Sequence, residues 1–185
     1  MKSLILASSS PRRKEVMSLF GIPFKVIPPR IKENPVGNPV LTARKLAKEK
    51  AISVWKKHKS SLVVGADTLV YVGEKVIGKP YDEREAFRTL KFLSGRYHKV
   101  VTAVSFVGKG IRRTFHDVAR VKFRKLTDEE ILFYISTGEP MDKAGAYGVQ
   151  GFGATFIERI EGDFYTVMGL PAVKVYSFLR KFLPL

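Results

Sequence analysis

The chain has 185 residues, 45% of them hydrophobic, no cysteine, and 33 Lys plus Arg against 17 Asp plus Glu, for a formal charge of +16. It is long enough to bury a sizeable core, and no apolar run approaches the roughly 18 residues that span a membrane. The absence of cysteine excludes disulfides, thiolate metal ligands and a cysteine nucleophile, and the cation surplus favours phosphate-rich partners.

From the N-terminus, Lys2 and a short apolar run are too brief for a signal peptide, so the expected location is the cytoplasm. Residues 4–7 read as a buried strand. Residues 11–20 read as a helix with Ser10 as cap, Pro11 in its first turn and Gly21 past its end. A strand at 24–27 leads into the proline-rich stretch 28–39, an excursion within the domain. A helix follows at 41–57, with Ala43, Leu46, Ala47 and Val54 on its apolar side.

Residues 62–66 form an apolar strand, and 69–77 a hairpin turning at Gly73-Glu74. Asp82 and Glu85 have capping-box spacing at the head of a helix over 82–93. Strands at 100–107 and 111–123 precede a helix opened by Thr127 and Glu130 and ending near Gly138. A glycine-rich loop, a strand at 154–160 and a helix from Pro171 to about residue 182 complete the chain. Early alternation of strands and helices, with hairpins in the middle, predicts one α/β domain over residues 1–185 with a mixed sheet and flanking helices.

Four stretches carry chemistry. In Leu6-Ala7-Ser8-Ser9-Ser10-Pro11-Arg12-Arg13, cations fill the first turn of a helix, where they cost a few tenths to about 1 kcal/mol without an anion. A phosphate bound by the free N–H groups, the Ser8 to Ser10 hydroxyls and two guanidinium groups reverses that sign. The alternative is side chains pointing into water. Val63-Val64-Gly65-Ala66-Asp67-Thr68 places a carboxylate at the end of a buried strand, where α/β sheets bind ligands. Asp67 there suits a Mg²⁺ ligand, a proton acceptor for water, or a simple turn residue.

Gly78-Lys79-Pro80 projects an ammonium group, for a phosphate or for solvent. The stretch from Gly138 to Gly151, "GEPMDKAGAYGVQG", is too rich in small residues for helix or strand. It reads as a ligand-wrapping loop or a structured surface loop, and the amide of Gln150 is suited to a base edge.

No P-loop, GxSxG elbow or HExxH spacing is present. His58, His98 and His116 fall in separate elements, so a hard ion such as Mg²⁺ suits the chain better than zinc. The run from Arg112 to Lys125 reads as a nucleic-acid stripe or as the polar face of strands, without a recognised nucleic-acid-binding motif.

Together these stretches resemble the Maf family of nucleoside triphosphate pyrophosphatases. The matches are "LASSSPRR" at 6–13, "VVGADT" at 63–68, "GKP" at 78–80, "LSGRYHKVVTAV" at 93–104, "GEPMDKAGAYGVQG" at 138–151 and "GLP" at 169–171, in family order across nearly the whole chain. The resemblance implies a fold similar to inosine triphosphate pyrophosphatase: an elongated mixed sheet and two lobes around a nucleotide cleft. It implies hydrolysis of a triphosphate to monophosphate and pyrophosphate with a divalent cation, Mg²⁺ first and Mn²⁺ second.

In that family the proton acceptor falls on Asp67, and residues linked to substrate choice fall on Arg12, Thr68 and Gln150. "KAGAYGVQG" resembles the branch acting on dTTP and UTP, with modified pyrimidine nucleotides as further candidates. The implied roles continue with Glu33 as a second metal ligand beside Asp67. Ser8, Arg12, Arg13, Lys50, Lys79 and Lys143 are phosphate-side groups. Two departures stand out: Lys32 precedes Glu33 where the family often pairs two acids, and Thr166-Val167-Met168 precedes "GLP" where it often reads "NV". The likeness also carries a homodimer and an association with inhibition of septum formation. The rival expectations are a nucleic-acid-binding protein and a non-catalytic division regulator.

Overall fold

The computed structural model describes residues 3–33 and 37–182; Lys2, residues 34–36 of the proline-rich excursion and the extreme C-terminus lie outside the described residues. The elements are β1 (Leu4–Ala7), α1 (Pro11–Ser18), β2 (Phe24–Val26), α2 (Pro39–Trp55), β3 (Leu62–Val72), β4 (Lys75–Ile77), α3 (Glu83–Leu93), β5 (Tyr97–Gly108), β6 (Ile111–Phe123), α4 (Asp128–Ser136), β7 (Ile157–Glu161), α5 (Phe164–Met168) and α6 (Ala172–Leu179). The sheet has seven strands in the order β2-β1-β3-β5-β6-β7, with β4 paired to β3. β1 runs parallel to β2 and β3, while β3–β4 and β6–β7 are antiparallel. The sheet is mixed, as the alternation of elements predicts.

The chain divides into two compact units. The first comprises Met1–Thr68, Thr102–Asp117 and Gly169–Leu185; the second comprises Leu69–Val101 and Val118–Met168. Ile5, Ala7, Ala51, Val54, Val63 and Val107 form a core in the first unit. Leu90, Leu93, Phe123, Ile131, Tyr134 and Phe156 anchor the core of the second.

Packing of α2 on β3 is set by Gly65. A Cβ at Gly65 would lie 2.5 Å from the Ala47 carbonyl oxygen and 2.6 Å from the Ala51 nitrogen, so only glycine admits this helix. Ala43, Ala47 and Ala51 recur every four residues and line the buried face of α2. What approaches β3 at Gly65 is therefore the backbone of this helix. Lys50 lies three residues after Ala47 and one before Ala51, on the same side.

Several boundaries depart from the sequence expectations. β3 does not stop before Asp67 but runs through it to Val72. Its register with β1 ends at Ala7↔Gly65, and the next carbonyl, Ala66, is taken by the Arg13 side chain at 2.9 Å. α2 begins earlier than predicted because the Asn38 side chain accepts from the Val40 and Leu41 N–H groups, at 2.8 and 3.3 Å. Residues 154–156 belong to a 3₁₀ turn over Gly151–Phe156, not to a strand. That turn brings the Phe152 and Phe156 rings to 5.8 Å; a strand would separate residues four apart by about 13 Å. α5 was not predicted.

Candidate active site

In the first unit, Lys50 projects from the buried face of α2 and bridges two carboxylates. Its Nζ lies 2.6 Å from Asp67 Oδ1 and 2.7 Å from Glu33 Oε1. Lys50 and Asp67 side chains are only 12% and 7% exposed, whereas Glu33 is open to solvent. Burial pushes the Asp67 carboxyl above its usual range; the nearby charges of Lys50 and Arg13 pull the other way, and Glu33 adds to the rise. Asp67 Oδ2 is buried and has no hydrogen-bond partner among the described residues. A buried carboxylate oxygen without a donor is costly unless something else engages it.

Arg13 turns into the protein rather than outward to an anion. Its Nε donates to the Gly169 carbonyl at 2.9 Å, Nη1 to the Ala66 carbonyl at 2.9 Å and to Ser8 Oγ at 3.5 Å, and Nη2 to Thr68 Oγ1 at 2.9 Å. These bonds occupy four of the five guanidinium donors. The arginine ties the loop before α1, strand β3 and the segment before α6. Ser8 is buried and accepts from the Ser10 N–H at 3.1 Å, while Ser10 caps α1 through the Arg13 N–H. Thr68 Oγ1 also meets Thr102 Oγ1 at 2.9 Å. Arg12 is half-exposed. The structure thus separates the two arginines: Arg13 is a clamp, and Arg12 remains at the surface of the helix start.

In the second unit, Lys79 is exposed beside the buried Pro80. Lys143 bonds to the Glu139 carbonyl and, at 2.7 Å, to Asp142 Oδ1, so it serves its own loop. Gln150 is half-buried just before the 3₁₀ turn that starts at Gly151. Sequence reasoning missed two polar pairs here, one partly buried and one buried. Tyr134 donates to Glu139 Oε1 at 2.8 Å, and His98 Nε2 meets the Tyr147 hydroxyl at 2.7 Å. The signal for the first was available: Tyr134 lies in the helix just before the glycine-rich loop, five residues ahead of Glu139.

The first-unit cluster fits a hard divalent cation. Among the described residues no group of three or more His, Cys, Asp or Glu converges. Mg²⁺ ordinarily takes one or two carboxylates and completes its shell with water and substrate phosphate. Asp67 and Glu33 are two carboxylates of the kind such an ion takes, gathered on the Lys50 ammonium at 2.6 and 2.7 Å. No helix among the described residues is long and apolar enough to cross a membrane.

The architecture defines a class: an α/β protein of the fold in the structure of the Staphylococcus aureus Ham1 protein. The two share a TM-score of 0.58 at 16% identity, over 97% of this chain and 99% of that one. Its family is narrower still. The Maf-like protein family model matches residues 3–182, and the chain belongs to that family. A dTTP/UTP pyrophosphatase of Aquifex aeolicus (strain VF5) is 59% identical over 179 residues, 96% of this chain and 94% of its own length. Another, from Bacillus velezensis, is 46% identical over 183 residues, 98% of this chain and 97% of its own.

Proposed function

We propose that this protein hydrolyses dTTP and UTP to the monophosphate and pyrophosphate, with Asp67 as the catalytic residue. The observation that carries the reading is the Asp67 carboxylate itself: buried, held by Lys50 on one oxygen and unpartnered on the other. A water molecule against Oδ2 loses its proton to that oxygen as its own oxygen bonds to the α-phosphorus. The bond from the α-phosphorus to the bridging oxygen breaks, and pyrophosphate leaves with that oxygen. A divalent cation, held by Asp67 and Glu33 when bound, supplies Lewis-acid stabilisation of the phosphate oxygens.

Raising the Asp67 pKa by burial makes it a better proton acceptor, and the Lys50 ammonium acts against that rise. Arg12 is assigned to phosphate charge, as is the exposed Lys79 of the second unit; Ser8 and Arg13 brace the start of α1, and Lys143 braces its own loop. Thr68, fixed by Arg13, and Gln150 are assigned to base choice.

The test is a panel of dTTP, UTP, CTP, modified pyrimidine triphosphates and 7-methyl-GTP with Mg²⁺ or Mn²⁺, with products identified. Pyrophosphate release from dTTP and UTP is expected. Orthophosphate release, or a preference for 7-methyl-GTP, overturns the reading.

A further inference from the structure

Glu139 stands at the start of the glycine-rich loop, and its side chain joins helix α4 to the loop's far end. Oε1 accepts from the Tyr134 hydroxyl at 2.8 Å, and Oε2 accepts from the Phe152 N–H at 3.1 Å. Its carbonyl takes the Lys143 ammonium. The Tyr134 oxygen in turn accepts from the Gly148 N–H at 3.1 Å. One carboxylate and one phenol therefore hold the chain on both sides of Gln150, at Gly148 and at Phe152.

The glycines around Gln150 are dictated by this pair. A Cβ at Gly151 would fall 2.8 Å from Glu139 Oε2, on a residue with φ of +69°. At Gly153 it would fall 2.4 Å from the Gly148 carbonyl oxygen and 2.7 Å from the Tyr134 hydroxyl. The loop's small residues do not leave room for a ligand at these points. They let the backbone close onto Glu139 and Tyr134. A bond between a charged carboxylate and a backbone N–H is among the stronger kinds, and here it ties the short 3₁₀ turn at Glu139–Asp142 to the one at Gly151–Phe156.

We infer that Glu139, seconded by Tyr134, is a positioning residue for nucleotide discrimination: it fixes the loop segment that presents Gln150. The inference rests on the proposed function for the role of Gln150 and on the hydrogen bonds alone for the clamp. Without the clamp, residues 147–153 sample several conformations, and an amide that reads a base edge loses its fixed direction. Loss of a preformed geometry weakens selection between bases more than it weakens handling of the triphosphate, which all substrates share.

The experiment compares wild type with Glu139→Ala, Glu139→Gln and Tyr134→Phe, with folding checked by circular dichroism. It reads amide hydrogen exchange over residues 147–153 without nucleotide, and the ratio of kcat/KM for dTTP against dGTP. Glu139→Ala is expected to speed exchange in that segment and to cut the ratio about tenfold, the worth of one charged hydrogen bond. Glu139→Gln keeps an oxygen for the Phe152 N–H and is expected to recover most of both. Tyr134→Phe leaves the Gly148 N–H without its acceptor and falls between them, and it carries the test if the alanine variant does not fold.

Unchanged exchange in Glu139→Ala or Tyr134→Phe overturns the clamp. Faster exchange with an unchanged ratio overturns the role in discrimination. A wild-type protein that hydrolyses neither dTTP nor UTP overturns the proposed function instead, and with it the role in discrimination; the exchange result alone then decides the clamp.

Discussion

Lys50 and Asp67 meet at 2.6 Å, one on the buried face of a helix and the other inside a strand, and Gly65 is what lets the two elements come that close. A buried carboxylate left without its counter-ion costs about 3–5 kcal/mol, more than the intact pair contributes. Lys50→Gln is therefore expected to lower stability by about 3 kcal/mol in urea unfolding. It is also expected to reduce kcat/KM about 10²-fold through the lost charge beside Asp67. Lys50 is one of the two attractive charges lowering the Asp67 pKa. Its removal moves the acid limb of the pH–rate profile to higher pH, and a limb that stays in place contradicts the assignment of Asp67 as the base.

Asp67→Asn separates chemistry from stability. Burial raises the native Asp67 pKa above its ordinary value of 3.8. Between that value and the raised one, the native state keeps a proton that the unfolded chain has released. Stability from this group is thus highest at low pH and declines as pH rises through the raised pKa. Asparagine does not titrate. The Tm of Asp67→Asn should gain on that of wild type as pH rises from about 4 toward neutrality. Activity should fall by about 10³-fold or more, as expected when a proton acceptor is removed. A variant with full activity removes Asp67 from the mechanism.

The neighbouring arginines should respond differently. Arg13 holds three backbone or hydroxyl partners at 2.9 Å, a fan that the single ammonium of lysine cannot reproduce. Arg13→Lys is expected to cost about 2 kcal/mol or more, because the Ala66 and Gly169 carbonyls lose their donors. Arg12→Ala should change stability by less than about 0.5 kcal/mol, while raising KM for dTTP about tenfold through one lost charged contact. Denaturant melts and steady-state kinetics on the two variants decide this. Equal effects on both measurements would erase the distinction.

That distinction shows where sequence reading stops. Pro11 and Ser10 specify a helix start, and the cations after them announce an electrostatic cost, but the pattern does not say which side chain relieves it. Arg13 finds its partners in β3 and before α6, segments 53 and 156 residues away; such long-range bonds leave no local signature. Lys50 was expected only as a phosphate-side group, and its bridge to Asp67 and Glu33 was not foreseen, although a local signal existed. A lysine among Leu46, Ala47, Ala51 and Val54 at helical spacing lies on a buried face and needs an acid there. Asp67 was read at the end of a strand, whereas β3 runs through it to Val72, and the glycine two residues before it admits α2. The glycine-rich stretch was legible as a loop, while its internal clamp was not: nothing local links Tyr134 to Gly148 or Glu139 to Phe152.

His98 and Tyr147 give the last prediction. The two meet at 2.7 Å, packed edge-on against Phe123 at 5.0 and 4.8 Å. Burial lowers the His98 pKa from 6.5 to about 4 and pushes the Tyr147 hydroxyl far upward, so both are neutral at neutral pH. Below 6.5 the unfolded histidine takes a proton that the native one refuses until about 4. The stability conferred by keeping it neutral is therefore present above 6.5 and is lost as pH falls toward 4. At about 1.4 kcal/mol per pH unit the loss amounts to roughly 3 kcal/mol. His98→Gln removes the titration and should flatten that part of the stability profile, whatever its cost at neutral pH. Tyr147→Phe should keep the pH dependence and lower stability by about 1–3 kcal/mol throughout, since one polar atom of His98 loses its partner. Urea unfolding across this pH range distinguishes the two, and a slope that survives in His98→Gln would assign the acid lability to another group.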